Sequence, residues 1–448
     1  MIKEIAALLS LLLVAAIIGL NAVGISPAFI YYGPGVASGI GSKLLCSAEY
    51  VIGNSREQAF DDLVQYSQIL SQVTVRYNDE DQSVTTSLFG LEEKTASYIL
   101  GLGCAVDYPI ENARLGLRVQ PTEPTDLPWP RGSSVHSIDQ GLQTMLDDML
   151  AADNAAGLNT RALLLVQKGE IKAEAYGQAM NAESRLLGWS MAKSLISIML
   201  GNLEMRGLID LGSAPGFEAW SSDERANIAI SDMLTMTDGL EFSEHYNPGD
   251  DATAMLFTSV STSDYVLDMP LAAVPGSRFN YSSGTANLLA RLYTETLGSP
   301  QLAYDDYRQH IFAPLGFQHT VFEMDASGVF VGSSYVYASA RDWARMGQLM
   351  LNGGELNGVR VVTQGWVARA IQPNSSGNDR AYGYQWWLNR GNERLRFAEL
   401  PEDMYYANGN RQQLVAVVPS ADAVIVRLGW TAGRYPVAEN FGAILDAL

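Results

Sequence analysis

The stretch LLGWSMAKSLISIMLG, residues 186–201, is an apolar run that contains one lysine, Lys193, and a serine three positions earlier, Ser190. A lysine inside an apolar helix is unfavourable unless it has a partner or a chemical role. Residues three apart share a helix face, so the Lys193 amine can reach the Ser190 hydroxyl. We therefore predict that Ser190 begins a helix and is a nucleophile, with Lys193 as its proton acceptor.

This chemistry requires a neutral lysine. With an ordinary pKa of ~10.4, neutrality at pH 7 costs ~4.6 kcal/mol. An apolar wall lowers that cost because it disfavours the charged form, and Met191, Leu195 and Ile196 are placed to supply one. The helix start also favours negative charge on the serine oxygen. The alternative is a lysine whose stem packs in the core while its amine reaches solvent.

Tyr281 is a third candidate for handling protons. It lies in PGSRFNYSSGTANLLARLYTETLG, residues 275–298, where a loop leads through small polar residues into a helical pattern. A phenol beside an ammonium group is more easily ionised. Ser190, Lys193 and Tyr281 would then be nucleophile, proton acceptor and proton relay. The alternative for Tyr281 is a half-buried packing residue.

These residues occur within a longer series of motifs. WSMAKS (189–194) corresponds to an S-x-x-K box, and YSS (281–283) falls where a Y-x-N box is expected. FVGSSYVYASARDWARMGQLMLNGG (330–354) and ANGNRQQLVAVVPSADAVIVRLG (407–429) follow in the same order. Over residues 125–448 the chain resembles the serine beta-lactamase-related hydrolase superfamily. That group includes class C beta-lactamases, D-alanyl-D-alanine carboxypeptidases, family VIII esterases and 6-aminohexanoate-dimer hydrolases.

The resemblance implies acyl transfer through a Ser190 acyl-enzyme, without a metal or organic cofactor. It implies an oxyanion hole formed by the backbone N–H groups of Ser190 and Gln413. Residues expected near the substrate are Trp189, Ser283, Tyr335, Asn410 and Asp238. Each has a structural alternative: the aromatic residues, including those of YGYQWW (382–387), as core, Asp238 as a loop cap, and the nearby His245 as a surface residue.

Three departures from the family pattern bear on the substrate. No lysine follows Lys193, so the K-T-G box that binds the carboxylate of penicillins cannot exist. Asn410-Arg411-Gln412 stands where related hydrolases often have His-x-Gly, which places a glutamine where glycine permits close approach or positive φ. Ser283 replaces the asparagine of Y-x-N. We expect an esterase or amidase for a small or linear substrate rather than a beta-lactamase.

Two other functions remain open. Gly188–Ala192 also fits the G-x-S-x-A nucleophile elbow of an α/β-hydrolase, with His245, His310 or His319 completing a triad. The hairpin predicted before the serine argues against that fold. The other is a membrane-tethered binding protein that keeps the fold but has lost the chemistry. The altered sequence Asn410-Arg411-Gln412, hereafter the third box, would permit this.

The helices and strands predicted around these residues indicate an α+β fold. Residues 137–152 have the pattern of an amphipathic helix, and residues 161–176 and 414–430 are hairpins around polar turns. An antiparallel sheet from both hairpins, flanked by helices and interrupted by a large helical insertion, is an α+β arrangement, and the resemblance implies that it is of the beta-lactamase/transpeptidase-like type. We assign residues 121–448 to this domain.

The N-terminal residues are expected to lie outside the hydrolase domain. Residues 5–23 are uncharged and mostly apolar, long enough as a helix to span ~28 Å of a bilayer. We expect residues 1–24 to be an uncleaved inner-membrane anchor, with a cleaved signal peptide or a buried helix as alternatives. Residues 25–120 would form a small α+β unit, and Gly-rich residues 25–45 would be a linker.

Composition and cysteines constrain the location and the partners. A net charge of −20 excludes a basic surface for nucleic acid, and the apolar content of 47% allows a large core. Cys46 and Cys104 follow the apolar segment, on the expected periplasmic side, where disulfides persist. They are either a disulfide or two buried thiols, and their spacing is not a metal-binding pattern.

Overall fold

The computed structural model describes residues 27–107, 117–120, 122 and 125–448. It has the α+β architecture that the sequence predicts. The helices of the described residues are α1 (Pro27–Ser47), α2 (Arg56–Val64), α3 (Gln140–Ala155), α4 (Ala192–Met205), α5 (Ile230–Leu234), α6 (Asp251–Phe257), α7 (Thr262–Leu267), α8 (Ser283–Leu297), α9 (Pro300–Tyr307), α10 (Ala313–Leu315), α11 (Ala340–Leu351), α12 (Gln364–Ala370) and α13 (Val437–Asp446).

The strands form four sheets within the same residues. They are β1 (Val73–Asn78), β2 (Ser83–Leu88), β3 (Leu91–Ile99), β4 (Gly103–Val106), β5 (Thr160–Gln167), β6 (Glu170–Tyr176), β7 (Leu186–Leu187), β8 (Thr320–Phe322), β9 (Val336–Ala338), β10 (Glu355–Leu356), β11 (Val359–Arg360), β12 (Trp387–Leu388), β13 (Tyr405–Gly409), β14 (Gln413–Val418) and β15 (Ala423–Gly429).

The central sheet joins the two ends of the hydrolase domain. Its order is β12-β13-β14-β15-β5-β6, and all neighbouring strands are antiparallel. Alternate residues face opposite layers, as the period of two requires. On β15, Val424 and Val426 face the side of α4 and α11, whereas Ile425 faces α3 and α13. The predicted hairpins are therefore the core of the sheet, and the helical insertion lies between them.

The N-terminal unit, residues 27–107, is a four-stranded antiparallel meander packed against α1. The linker interpretation of residues 25–45 does not hold, because α1 begins at Pro27 and is buried over much of its length. Its glycines permit close packing rather than flexibility. A Cβ at Gly39 would lie 1.9 Å from the carbonyl oxygen of Phe257, and one at Gly41 would lie 3.0 Å from Thr86 Oγ1.

The N-terminal unit and the hydrolase domain share one hydrophobic core. Buried residues from Val36 of α1 to Leu428 of β15 belong to a single contiguous cluster. The division near residue 120 is thus a change in topology and not a boundary in packing. Residues on both sides of it are needed to exclude water from the common core.

Buried polar contacts also cross this division. Lys43 of α1 forms an ion pair with Glu323, and both side chains are almost fully buried. The other Glu323 oxygen accepts from the Ser47 hydroxyl and from the Cys104 backbone N–H, both at 2.8 Å. Cys46 and Cys104 are joined by a disulfide. The disulfide therefore holds together the two segments that supply the partners of Glu323.

The expected membrane anchor, residues 5–23, lies outside the described residues. Among the helices that the structure describes, none combines the length and apolar character required to span a bilayer.

Candidate active site

Ser190 lies in a tight turn between β7 and α4. Residues Trp189–Met191 form one 3₁₀ turn, and α4 continues from Ala192, so the serine precedes the α-helix rather than beginning it. Trp189 has a φ of +49°, a left-handed conformation that is rare for a bulky residue. Such strain costs about 1–3 kcal/mol and is concentrated at functional sites. The turn leaves Ser190 partly exposed above a buried helix.

Strands β13 and β14 border this turn. Both contact residues 189–191, and Gln413 at the start of β14 pairs with Gly409 at the end of β13. A Cβ at Gly409 would lie only 2.1 Å from the carbonyl oxygen of Gly188. Glycine is therefore required for β13 to approach the serine turn this closely. The approach brings the backbone of Gln413 next to the segment that carries Ser190.

The Lys193 amine lies at the centre of a hydrogen-bond network. Its Nζ is 3.0 Å from Ser190 Oγ, 3.0 Å from Ser283 Oγ and 3.1 Å from the carbonyl oxygen of Ser333. Asn287 Oδ1 accepts from the backbone N–H of Ser333 at 3.0 Å, which holds that segment in place. Three acceptor-capable oxygens thus surround a lysine that is 1% exposed.

Glu244 completes the network on the far side of Ser283. The Ser283 backbone N–H and hydroxyl donate to the two oxygens of Glu244, each at 2.6 Å. The exposed Tyr246 donates its hydroxyl to the same carboxylate at 2.9 Å. Because Ser283 begins α8, its N–H is one of the groups that the helix itself leaves unpaired. The carboxylate therefore caps α8 while contacting the lysine's partner.

Tyr281 is held beside Lys193 by an aromatic cluster. Its ring centroid is 4.9 Å from Lys193 Nζ, 5.3 Å from the Trp387 ring and 5.9 Å from the Tyr382 ring. Tyr382 is buried and Trp387 is half-buried. These two members of YGYQWW therefore position the phenol, which is a packing role.

Burial has opposite consequences for the two proton-handling groups. It lowers the pKa of Lys193 to about 8, against which the negative charge of Glu244 acts. It raises the pKa of Tyr281 well above its ordinary value, while a hydrogen bond with Ser190 acts in the opposite direction. The site thus makes the neutral amine more accessible near neutral pH and keeps the phenol protonated. Pairs of titratable groups displaced in this way mark acid–base assignments.

Comparison with known proteins agrees with the fold. A sequence model of the beta-lactamase family matches residues 143–447, which is more than half of the chain. The chain belongs to the beta-lactamase family. This beta-lactamase-family protein is 25% identical over 297 residues to the 6-aminohexanoate-dimer hydrolase of Paenarthrobacter ureafaciens, covering 60% of this chain and 72% of that one.

Solved structures share the fold of the beta-lactamase-family domain. EstCE1, a hydrolase with promiscuous acyltransferase activity, matches with a TM-score of 0.58 at 15% identity, over 69% of this chain and 98% of that one. A family VIII carboxylesterase matches with a TM-score of 0.52 at 15% identity, over 70% and 100%. With the family match, these findings place the protein among the hydrolases of the serine beta-lactamase-like group.

Two of the expected substrate contacts are not supported by their positions. Asp238 is 2% exposed, and its carboxylate accepts from the Thr285 hydroxyl and the Leu240 backbone N–H. Burial raises the pKa of Asp238 to about 6. Tyr335 is also 2% exposed and packs behind Trp189, with ring centroids 6.1 Å apart. Asp238 is thus a loop cap and Tyr335 a core residue, as their structural alternatives proposed.

The remaining expected residues lie near the serine. Trp189 directly precedes it, and Ser283 contacts Lys193. The exposed Asn410 directly follows β13, the strand that approaches the serine turn. His245 is exposed and contacts Ser243, so it does not complete a triad with Ser190. The central sheet is antiparallel, which excludes the α/β-hydrolase alternative.

The backbone of the third box is strained. The sequence had raised this question because a glutamine stands where related hydrolases have a glycine. Arg411 and Gln412 have φ values of +60° and +65°, where each side chain is unfavourable. The buried Arg427 donates to the carbonyl oxygens of both residues, at 3.1 and 3.0 Å. The Arg411 guanidinium also lies over the Tyr66 ring, 4.0 Å from its centroid. These contacts hold the turn without the glycine found in related hydrolases.

Sequence reasoning missed Glu244, Ser333 and Arg427. Glu244 lies in TDGLEFSEHY, but nothing local distinguishes it from Glu241, and its contact with Ser283 spans 39 residues. The Ser333 and Arg427 contacts likewise depend on tertiary structure. Within the described ranges, no group of three or more His, Cys, Asp or Glu side chains is arranged to bind a metal ion.

Proposed function

We propose that this hydrolase cleaves an ester or a linear amide through a Ser190 acyl-enzyme, with neutral Lys193 as general base and Tyr281 as proton relay. The observation that carries this proposal is the three-way hydrogen bonding of Lys193. A neutral amine has two N–H donors and one lone pair, so the identity of its partners determines where the lone pair points.

The partners of Lys193 leave only Ser190 for the lone pair. The Ser333 carbonyl can only accept, so it takes one N–H. The Ser283 hydroxyl donates to Glu244 and must therefore accept the second N–H from Lys193. The lone pair then faces Ser190 Oγ, 3.0 Å away, and can take its proton. With a pKa of about 8, the neutral amine costs only about 1.4 kcal/mol at pH 7.

Tyr281 has a complementary role in this proposal. Because burial raises its pKa, it stays protonated and can donate to the leaving group when the acyl-enzyme forms. The proton that Lys193 removes from Ser190 is then returned through the phenol. The backbone N–H groups of Ser190 and Gln413 would stabilise the tetrahedral oxyanion, contributing about 3 kcal/mol each.

Two observations favour an ester or a linear amide as the substrate: a lysine that the chain lacks, and the name of one relative. No lysine follows Lys193 in the chain, so a K-T-G lysine is not available to bind a beta-lactam carboxylate. A relative with 25% identity is named as a 6-aminohexanoate-dimer hydrolase, an enzyme for a linear amide. Turnover of nitrocefin comparable to that of activated esters would contradict this part of the proposal.

The test is to change the base while preserving its shape. Lys193→Met retains the unbranched side chain in an apolar environment and removes the amine. We expect kcat/KM for p-nitrophenyl acetate to fall by about 10²–10⁴, the usual contribution of a general base. Lys172→Met is the control, since Lys172 pairs with Glu170 on β6 away from the site. Equal activity of the two variants would refute the assignment of Lys193.

We further propose that residues 5–23 anchor the hydrolase in the inner membrane with the catalytic domain in the periplasm. The uncharged apolar run and the Cys46–Cys104 disulfide support this location. The full chain should sediment with membranes and resist carbonate extraction, and a chain beginning at residue 25 should not. Recovery of both in the soluble fraction would contradict the proposal.

A further inference from the structure

An apolar cavity of ≈ 310 Å³ lies between the N-terminal unit and the hydrolase domain. Helix α1 lines it with Val36, Ala37 and Ile40, and the following segments contribute Leu70 and Leu88. The opposite wall comes from the hydrolase domain. Its volume is at the lower end of the range for small-molecule pockets.

None of the described residues that line this cavity is charged. Its polar groups are hydroxyls and amides, among them Tyr66, Tyr246 and Asn410. A charged ligand group would be desolvated there without an ionic partner, which is strongly unfavourable. The cavity therefore selects for a neutral, mainly apolar group.

The cavity lies beside the candidate active site. Trp189, which directly precedes Ser190, forms part of its wall, as does Asn410 of the third box. Tyr246 lies at the cavity and donates to Glu244, the partner of Ser283. A substrate whose scissile bond is held at Ser190 would therefore have the cavity next to it.

We infer that the apolar cavity binds a neutral hydrocarbon group of the substrate next to the scissile bond, so that the hydrolase prefers esters or amides with a chain of about six to eight carbons. A volume of ≈ 310 Å³ corresponds to about ten water-sized volumes of ~30 Å³, enough for such a chain. This inference rests on the proposed function for the bond that is cleaved. Most of the lining comes from residues 29–88, outside the 143–447 family match, so the N-terminal unit sets the specificity.

The expected signature is a rise of kcat/KM with chain length. Burying one methylene favours binding by about fourfold. For p-nitrophenyl esters, kcat/KM should therefore rise by up to about fourfold per carbon from acetate to octanoate and level off by decanoate. A parallel series of alkyl acetates shows whether the acyl or the alcohol side occupies the cavity.

Two glycines of α1 provide a matched pair of variants. Gly33 lines the cavity, and a Cβ there would have its nearest contact at 3.7 Å, whereas Gly35 does not line it and a Cβ there would have its nearest at 3.8 Å. A Cβ is thus accommodated without a clash at both positions. Gly33→Leu should lower kcat/KM for octanoate by at least tenfold and leave acetate within twofold. Gly35→Leu should keep the wild-type profile.

Ligand binding to a variant without the nucleophile tests the cavity inference separately from the proposed function. The Ser190→Ala variant should bind N-methyloctanamide more tightly than N-methylacetamide in calorimetry, and Gly33→Leu should abolish that difference. If no ester is cleaved but this binding pattern holds, the proposed function fails and the cavity inference stands. If acetate is cleaved but both chain-length series are flat, or if the two leucine variants behave alike, the cavity inference is overturned.

Discussion

At the scale of single residues, the proposed catalysis depends on a fixed direction for the lone pair of the Lys193 amine. Ser283 must donate to Glu244 and so cannot donate to Lys193, which directs the lone pair of the amine to Ser190. Glu244 thereby positions the base without contacting the nucleophile. Its charge also raises the pKa of Lys193, against the larger effect of burial. These two effects of Glu244 can be separated in a pH profile.

We expect kcat/KM of the wild-type hydrolase to rise with pH up to about 8 and then level off, because only neutral Lys193 can accept a proton. Glu244→Gln removes the negative charge, lowers the pKa of Lys193 and shifts this limb to lower pH. Its plateau should fall about tenfold to a hundredfold, since a hydrogen bond to a charged group contributes about 1.5–3 kcal/mol.

The control for this prediction is Glu241→Gln, three residues earlier on an exposed part of the same segment. It should leave both the limb and the plateau unchanged. A kcat/KM that falls instead of rising as the pH approaches 8 would mean that the active form of Lys193 is the charged one, and a limb that does not move to lower pH in Glu244→Gln would contradict the effect of Glu244 on the pKa of Lys193.

At the scale of helices and strands, the site depends on the covalent and polar contacts that attach α1 to the rest of the fold. The Cys46–Cys104 disulfide joins the end of α1 to β4 across 58 residues. Both segments contact Glu323, and α1 also lines the apolar cavity. Loosening this link should therefore destabilise the core that the two units share.

Replacing both cysteines with alanine should lower the free energy of unfolding by about 4 kcal/mol, the chain-entropy value for a loop of this length. Urea denaturation of the two proteins measures the difference. Activity at low temperature should persist in the variant, because neither cysteine contacts Ser190 or Lys193. A difference under 1 kcal/mol would show that the disulfide does not constrain the unfolded chain.

The sequence predicted the elements that follow from local pattern. The two hairpins, the helix near residue 140 and the S-x-x-K turn each have a periodicity or spacing that is visible in a short window. Helix α1 was missed because its glycines indicated a linker. Gly39 and Gly41 instead allow close contacts with residues far along the chain. Glu244 was missed for the same reason, since its role arises from a tertiary contact.

At the scale of the whole molecule, the N-terminal unit and the hydrolase domain form one core with a buried ion pair inside it. Burial lowers the pKa of Lys43 and raises that of Glu323, while each group's partner opposes the shift. The Lys43 amine also lies 4.2 Å from the centroid of the Tyr335 ring, which packs behind Trp189. Removing one charge should therefore destabilise the whole protein rather than one unit.

We expect Lys43→Met to lower the free energy of unfolding by about 3–5 kcal/mol, because it leaves Glu323 buried without its partner. The double variant Lys43→Met/Glu323→Gln should recover part of this loss, since no buried charge remains. Denaturation should show one transition in every variant. A double variant no more stable than the single one would contradict this explanation.

We propose that Ser190 is the nucleophile and that Lys193 activates it, and covalent active-site labelling can detect both properties. Intact and peptide mass spectrometry after treatment with a fluorophosphonate should find one adduct, on Ser190. Labelling should be absent in Ser190→Ala, slowed at least a hundredfold in Lys193→Met, and unchanged in Ser194→Ala, whose buried hydroxyl only contacts the Gln385 carbonyl. Labelling that persists in Ser190→Ala, or that is as fast in Lys193→Met as in the wild type, would contradict the account.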